Sequence, residues 1–233
     1  MKRGDFNMGI LFLLLSLGSA IAGFLAESLP GKILAFSSAF AFLGVAAAYT
    51  FAWPELIGKT RGGRLLPLSY LLFWPFHLLN FASLTLFRWS RQSAPFTEIL
   101  PGLYLGGRLC SRNARRLSEL KICAVLDLTS EFSEVRSLRE ATAYMCIPLL
   151  DRTAPSASEL EAAIGFIREQ SQRGPVYVHC ALGHGRSATV MIAYLLASGK
   201  IANLNDALGH IQSKRPRVRL NSGQWRALQE FAV

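Results

Sequence analysis

The sequence contains few cysteines and few charged residues, and each scarcity excludes a class of protein. Four cysteines occur in 233 residues, without a CxxC pair or the spacing of zinc ligands, so neither a zinc site nor a disulfide framework is expected. This cysteine usage fits a reducing compartment. Charged residues make up 17% of the chain, with a net charge of +10. No basic stretch is interleaved with aromatic residues, so the expected partners are anionic lipids and phosphates rather than nucleic acid.

Long uncharged stretches are confined to the first 92 residues, which hold eight Lys or Arg and three Asp or Glu. Three apolar stretches follow one another there, at residues 9–26, 33–54 and 65–87. Each has close to the roughly 20 residues that span a bilayer. We therefore expect residues 1–92 to be a membrane region with two or three hydrophobic helices, and residues 93–233 to be a separate domain.

The sidedness of that domain depends on the third stretch. Lys2 and Arg3 suggest that the N-terminus is cytoplasmic, and the basic residues at 59–64 suggest that the loop after the second stretch is cytoplasmic too. A cleaved signal peptide could explain the first stretch, but the second would still anchor the chain. As a full span, the third stretch would export the following domain, whereas a re-entrant helix broken at Pro67 and Pro75 would keep it inside. Arg88 and Arg91 favour an integral membrane protein whose second domain faces the cytoplasm.

Short apolar runs alternate with helical patterns in residues 93–233. After a polar linker at 90–98, strands are predicted at 99–107, with a break at Gly106–Gly107, and at 122–128, 144–149 and 176–178. Helices are predicted at 113–120, 136–142, 188–197, 204–214 and 222–231, and another begins at Ser158, with Glu161 completing a capping box. This alternation predicts an α/β fold with a central, mostly parallel sheet flanked by helices.

The segment HCALGHGRS joins the last predicted strand to a helix, beginning at His179. Cys180 would face the N–H groups of the loop and of the helix, which lower the pKa of a thiol and produce a nucleophilic thiolate. Two glycines let the loop amides turn inward around the oxygens of a phosphate. The predicted phosphate-binding residues are Ala181, Leu182, Gly183, His184, Gly185 and Arg186.

Three side chains around this loop have separate predicted tasks. Arg186, on the first turn of the helix, can bind the phosphate with two parallel N–H bonds. Ser187 can donate its hydroxyl to the sulfur when the sulfur leaves. His179 would order the loop from behind through its ring nitrogens.

With this motif, residues 97–233 resemble the dual-specificity branch of the cysteine-based protein tyrosine phosphatases. The resemblance rests on three segments: the strand, loop and helix at 176–193, the YLGG-like opening at 99–107 and the closing segment at 217–231. It implies the cysteine phosphatase fold and a phosphocysteine mechanism without metal or cofactor. Rhodanese-like phosphatases share the C-x5-R motif, but fit the upstream pattern and the Arg-Ser ending less well.

The family places a general acid about thirty residues before the cysteine, and Asp151 stands 29 residues before Cys180. A carboxyl group on the loop after a strand can swing over the phosphate. Asp127, also at a strand end, is the competing candidate and is interpreted as structural. Glu131 and Glu134 are interpreted as solvated surface charges.

Several other residues have open assignments. Asn221 matches a family position that supports the phosphate loop. His184 either adds positive charge near the phosphate or points to solvent. Arg152, Arg217 and Arg219 either contact an anionic substrate or the membrane, or are solvated.

The predicted function is a membrane-anchored cysteine-dependent phosphatase acting on a phospholipid head group such as phosphatidylglycerophosphate. The domain resembles the phosphatidylglycerophosphate phosphatase branch in three features. These are the VYVHC strand, the RSAT sequence after the phosphate loop, and the short loop that carries Asp151, called the acid loop below. Leu182 and His184 depart from that branch, where the loop is more basic. The alternatives are a protein phosphatase acting on phosphotyrosine, phosphoserine or phosphothreonine and an inert phosphate-binding membrane module. Asp151 argues against the module, because a binder needs no acid. No oligomeric state is predicted.

Overall fold

The computed structural model describes residues 7–90, 94–110, 113, 119–141 and 143–231. Chain contacts divide the protein into two compact units. The first contains Met1–Thr60, Arg64–Arg91 and Ser130–Phe132, and the second contains Arg61–Gly63, Gln92–Thr129 and Ser133–Val233.

The first unit is helical. Its helices are α1 (Met8–Leu25), α2 (Leu29–Thr50), α3 (Pro67–Leu72) and α4 (Trp74–Ser90), with a 3-10 turn at Pro54–Ile57. Asn7 caps α1 and Ser28 caps α2 through their side-chain oxygens. Helices α1 and α2 pack against each other, with the Ser16 hydroxyl donating to the Ala39 carbonyl at 2.8 Å. In a low-dielectric surrounding, such a bond satisfies a polar group that water cannot reach.

In the described part of the chain, α1 and α2 are the two helices long and apolar enough to cross a bilayer, with 18 and 22 residues. They expose large apolar side chains: Leu14 is 60% exposed and Phe24 is 79% exposed. The third apolar stretch is not one helix but two, because the chain breaks at Phe73 between α3 and α4. Pro67 and Pro75 lie in the first turns of these helices, where a missing N–H costs nothing.

The second unit is built on a five-stranded sheet. Its strands are β1 (Phe96–Leu100), β2 (Leu103–Gly107), β3 (Ala124–Thr129), β4 (Ala143–Leu149) and β5 (Val176–Cys180). Their spatial order is β1-β2-β5-β3-β4. The β1–β2 pair is antiparallel and the other three pairs are parallel. The predicted α/β fold with a mostly parallel sheet is confirmed.

Helices cover both faces of this sheet, as parallel strands require. They are α5 (Arg136–Ala141), α6 (Ala157–Ser171), α7 (Arg186–Ala197), α8 (Leu204–Lys214) and α9 (Ser222–Phe231). Every residue of β3 and β5 is buried, and the main core includes Leu126, Val178 and Ile192. Since β5 lies in the middle of the sheet, its carboxyl end is held in a rigid position.

Some predicted elements differ from the observed ones. Strand β1 lies partly in the segment predicted to be a linker, and β2 continues through Gly106–Gly107 instead of breaking there. The predicted helix at 113–120 lies largely outside the described residues. Helix α6 is capped by Ser156 with Glu159, not by Ser158 with Glu161. Both pairs fit the same spacing, but Ser156 follows Pro155 and has the extended backbone of a cap.

Replacing the cap of α6 should destabilise the protein. In Ser156→Ala, the N–H of Glu159 loses its acceptor, and we expect a loss of about 1 kcal/mol in the free energy of unfolding. Thermal unfolding of the full chain in detergent would measure it. Ser171→Ala, at the exposed last residue of the same helix, is the matched control. Equal midpoints for the two variants would contradict the capping assignment.

Candidate active site

The nucleophile candidate ends the central strand of the sheet. Cys180 is the last residue of β5, is 3% exposed and is followed by the loop 181–185, after which α7 begins at Arg186. The Gly183 N–H donates to the Cys180 sulfur at 3.3 Å, and the Ser187 hydroxyl lies 3.2 Å from it. The sulfur is therefore in contact with a loop amide and with a hydroxyl on the first turn of α7.

Burial by itself raises the pKa of the Cys180 thiol, because a thiolate loses its hydration. The Arg186 guanidinium and the hydrogen bonds from Ser187 and Gly183 act in the opposite direction and outweigh the burial. The pKa of Cys180 therefore lies below its ordinary value, which favours the thiolate.

The loop packs closely against two glycines of β2. Gly183 has a φ of +75°, and a Cβ there would overlap the carbonyl group of Gly106. A Cβ on Gly107 would lie 2.9 Å from the Ala181 carbonyl oxygen. The Arg108 N–H donates to the same oxygen at 3.0 Å. The glycine pair predicted to break the strand instead lets β2 run directly beside the phosphate loop.

Arg186 is held by the carboxyl ends of the two strands beyond β5. It is 1% exposed, and its Nη1 donates to the carbonyl oxygen of Leu149 at 2.7 Å and to that of Leu128 at 3.4 Å. Its Nη2 lies 3.0 Å from Oδ1 of Asp151. The guanidinium is thus fixed in orientation before any phosphate binds.

The two acid candidates differ in exposure. Asp151 follows β4, and its side chain is 53% exposed although it touches Arg186. Asp127 is fully buried, accepts from the backbone and hydroxyl of Thr129, and accepts from the Tyr144 hydroxyl at 2.7 Å. Of the two, Asp151 alone lies on a surface loop from which a carboxyl group can move to a substrate oxygen.

A buried polar cluster lies behind Cys180. The His179 ring is fully buried, stacks on Tyr177 at 5.2 Å, and places Nε2 at 2.9 Å from Glu134 and 3.9 Å from Asp127. The ligand atoms of these two acids and His179 lie within 4.8 Å of one another, close enough to hold a cation. The short contact between His179 and Glu134 has, however, the distance of a direct ion pair.

The interpretation of Glu131 and Glu134 as solvated charges is wrong, because they are 3% and 5% exposed. Glu131 accepts from the backbone and hydroxyl of Ser130, and Glu134 contacts His179. Since the partner of Glu134 is the distant His179, the local sequence contained no signal for the burial of Glu134.

Asn221 contacts the loop that carries Asp151, and its support of the phosphate loop stays a prediction. Its amide donates to the Arg152 carbonyl, and its oxygen accepts from the Gln224 N–H at 2.8 Å. Gln224, which the sequence reasoning missed, is 2% exposed and donates to the Thr153 carbonyl at 3.1 Å. The Asn-x-x-Gln spacing at the start of α9 was the available signal, since it is typical of a helix cap.

The structure also shows local hydrogen bonds or backbone geometry for His184, Arg219 and Arg152, whose roles the sequence left open. The His184 carbonyl accepts from the Arg219 N–H at 3.2 Å, while the Arg219 side chain donates to the carbonyls of Pro216 and Val218. Arg152 has a φ of +64°, a conformation uncommon outside glycine. Its carbonyl is the group that Asn221 binds.

A buried cysteine near a fixed arginine, with an acid on the adjacent loop, defines the class of cysteine-based phosphatases. The model of the dual specificity phosphatase catalytic domain matches residues 103–233. The chain belongs to this family and is a phosphoric monoester hydrolase.

Two similar proteins show the spread of the family. The chain is 35% identical over 136 residues to dual specificity protein phosphatase 22 from Homo sapiens, covering 58% of this chain and 72% of that protein. It is 32% identical over 183 residues to the phosphatidylglycerophosphate phosphatase PTPMT2 from Arabidopsis thaliana, covering 76% of this chain and 75% of that protein.

Solved structures agree with the fold. The active form of Tk-PTP is 26% identical, with a TM-score of 0.55, and the match covers 59% of this chain and 96% of that one. PTPMT1 in complex with PI(5)P is 22% identical, with a TM-score of 0.53, over 60% of this chain and 95% of that one.

A methyl group on Gly183 should disrupt the phosphate loop. Gly183→Ala adds a Cβ at a positive φ and against Gly106, so the loop must shift. Because a displacement of about 1 Å can cost on the order of 100-fold in rate, we expect a loss of that size in kcat/KM on an aryl phosphate. Gly165→Ala, where a Cβ meets no atom within 4 Å, is the matched control. Equal rates for the two variants would contradict the described loop packing.

Alkylation by iodoacetamide should report the lowered pKa of Cys180. The thiolate is the reactive form, so a lowered pKa moves the midpoint of the rate–pH profile below that of an ordinary cysteine. In Arg186→Met the midpoint should move to higher pH, because the main charge that favours the thiolate is gone. Mass spectrometry can follow Cys180 and the exposed Cys110 in the same sample. An unchanged midpoint in Arg186→Met would rule out this electrostatic account.

Proposed function

We propose that this chain is a membrane-anchored phosphatase that hydrolyses the terminal phosphate monoester of a phospholipid such as phosphatidylglycerophosphate. The observation that carries the proposal is the combination, in one chain, of two membrane-length apolar helices and a phosphatase site. Residues 1–92 form the membrane region and residues 93–233 the catalytic domain in this proposal.

In the first step, the Cys180 thiolate attacks phosphorus. An S–P bond forms as the bond from phosphorus to the leaving oxygen breaks, and Asp151 gives its proton to that oxygen. The amides of residues 181–185 and the Arg186 guanidinium bind the non-bridging phosphate oxygens. Arg186 already has its guanidinium fixed by the carbonyls of Leu128 and Leu149, so little reorganisation accompanies binding.

In the second step, water attacks the cysteinyl phosphate and passes a proton to Asp151. The S–P bond breaks, and Ser187, 3.2 Å from the sulfur, stabilises the departing thiolate by a hydrogen bond. His179 and its buried partners hold the loop from behind, and Asn221 with Gln224 holds the acid loop. Each of these side chains acts on position rather than on the reacting atoms.

Membrane attachment supports a lipid substrate, because tethering concentrates the site where lipid head groups are and soluble phosphoproteins are not. The similarity to the Arabidopsis phosphatidylglycerophosphate phosphatase supports it too, since that match covers a larger share of this chain, 76%, than the match to the human protein phosphatase, 58%. The cytoplasmic placement of the domain is supported by the break between α3 and α4, which leaves two membrane-length helices in the described chain.

A protein phosphatase is the second candidate. The observation that favours it is the 35% identity to the human dual specificity protein phosphatase 22. An inert phosphate-binding module is less well supported, because Asp151 lies beside Arg186 at 3.0 Å.

Purified full-length protein, assayed in mixed micelles without metal, should hydrolyse phosphatidylglycerophosphate with a higher kcat/KM than phosphotyrosine peptides. Cys180→Ser should abolish turnover. Asp151→Ala should slow it by roughly 100-fold or more, because leaving-group protonation is lost. Asp206→Ala, an exposed aspartate on α8, is the control and should retain activity.

The outcomes separate the parts of the proposal. A preference for the peptides would favour the second candidate over the lipid. If the wild-type protein turned over neither these substrates nor an aryl phosphate, the chain would be a binding module instead.

A further inference from the structure

A basic cavity adjoins the phosphate loop at His184. Its volume is about 210 Å³, and its lining includes Thr97, His184, Lys214, Arg215 and Arg217. The remaining lining residues are Ala94 and Pro216, so none of the seven is acidic. The volume is several times the roughly 30 Å³ of one water molecule and accommodates a phosphate group.

The deepest cation of the cavity is Arg215, whose side chain is 6% exposed. It donates to the Ala94 carbonyl at 3.2 Å, the Thr97 hydroxyl at 3.0 Å and the Leu182 carbonyl at 3.4 Å. All of these acceptors are neutral, and the buried Nε has no hydrogen-bond partner among the residues that the structure describes. Burial lowers the pKa of Arg215, while the fields of Tyr177 and Cys180 oppose that change. A buried guanidinium without a carboxylate leaves positive potential in the cavity.

Two exposed basic residues, Lys214 and Arg217, add to this potential at the mouth of the cavity. The Lys214 ammonium donates to the Ile99 carbonyl at 2.8 Å, a neutral acceptor that leaves its charge in place. A wall that carries three formal positive charges and no negative one favours an anionic ligand.

The cavity is separate from the place where Arg186 binds phosphate. Arg186 contacts the ends of β3 and β4 and Asp151, whereas Arg215 contacts the Leu182 carbonyl of the loop. A Cβ on Gly183 would be 2.9 Å from the Arg215 Nη2. His184 belongs both to the loop and to the cavity wall. One substrate with two anionic groups can therefore place one group in the loop and the other in the cavity.

We propose that this cavity is a second anion subsite, which binds the phosphodiester of a glycerophospholipid while its terminal phosphate monoester lies over Cys180. The inference rests on the proposed function and deepens it. A phospholipid head group that ends in a monoester carries a diester a few atoms away, next to the diacylglycerol. The subsite selects such head groups over simple phosphate monoesters. It supplies positive charge next to a loop that has Leu182 where the related branch is more basic.

Two soluble substrates isolate the contribution of the diester. Deacylated phosphatidylglycerophosphate and glycerol 3-phosphate share the monoester and the glycerol leaving group, but only the first carries a diester. The wild-type full-length protein should show at least tenfold higher kcat/KM on the first. Arg217→Gln should reduce that ratio at least fivefold, and Arg217→Lys should restore part of it, because the charge returns without the second N–H bond.

The matched control is Arg173→Gln. Arg173 is an exposed arginine next to the amino end of β5, at the opposite end of that strand from the phosphate loop, and its removal changes the net charge equally. Its ratio should equal that of the wild-type protein. Thermal unfolding of each variant checks that the fold is retained.

The outcomes test the second anion subsite and the proposed lipid phosphatase function separately. Equal kcat/KM on the two soluble substrates, or an equal ratio in Arg217→Gln and wild type, would overturn the second subsite. If intact phosphatidylglycerophosphate is still hydrolysed in micelles, the proposed function stands without it. If the protein cleaves an aryl phosphate but none of the glycerol substrates, both proposals fail. If Arg217→Gln lowered kcat/KM only on doubly phosphorylated peptides and left the ratio of the two glycerol substrates unchanged, the lipid assignment of the cavity would be overturned.

Discussion

The structure of the catalytic unit depends on keeping a negative charge on a buried sulfur. A thiolate at the end of β5 loses its hydration, and this loss must be offset by nearby positive charge and by hydrogen-bond donors. Arg186 provides the charge, and the amide of Gly183 and the hydroxyl of Ser187 provide the donors. The burial of β5, the start of α7 and the close approach of β2 all follow from this requirement, because the donors must converge on one atom.

Arg186 links that sulfur to the rest of the sheet. Its guanidinium is held by carbonyl oxygens at the ends of β3 and β4, so the strand order itself sets its orientation. The same guanidinium touches Asp151 on the loop after β4. Asn221 and Gln224 hold that loop from α9, the last helix of the described chain. Arg186, Asp151 and the start of α9 are therefore connected by direct contacts.

Charge is arranged in two ways around the phosphate loop. Behind it, the acids Asp127 and Glu134 are buried with His179, within the hydrogen-bonded interior. Beside it, Arg215 is buried and donates to the neutral acceptors of Ala94, Thr97 and Leu182, and Lys214 and Arg217 extend the positive wall to the surface. The first arrangement stabilises the loop. The second is the arrangement from which we propose a preference among anionic ligands.

The sequence by itself determined the elements whose signal is local. The C-x5-R loop between a strand and a helix, the bounds of α8 and α9, and the position of Asp151 after β4 all follow from short-range pattern and spacing. At the cap of α6, the local pattern favoured Ser158, whereas the structure has Ser156. The third apolar stretch forms two helices rather than one. Only the tertiary structure buried Glu134 and joined Thr97, His184, Arg215 and Arg217 around one cavity. Thr97, His184 and the segment 215–217 are far apart in the chain, as are Glu134 and His179, and their burial and charge balance depend on partners that no local window contains.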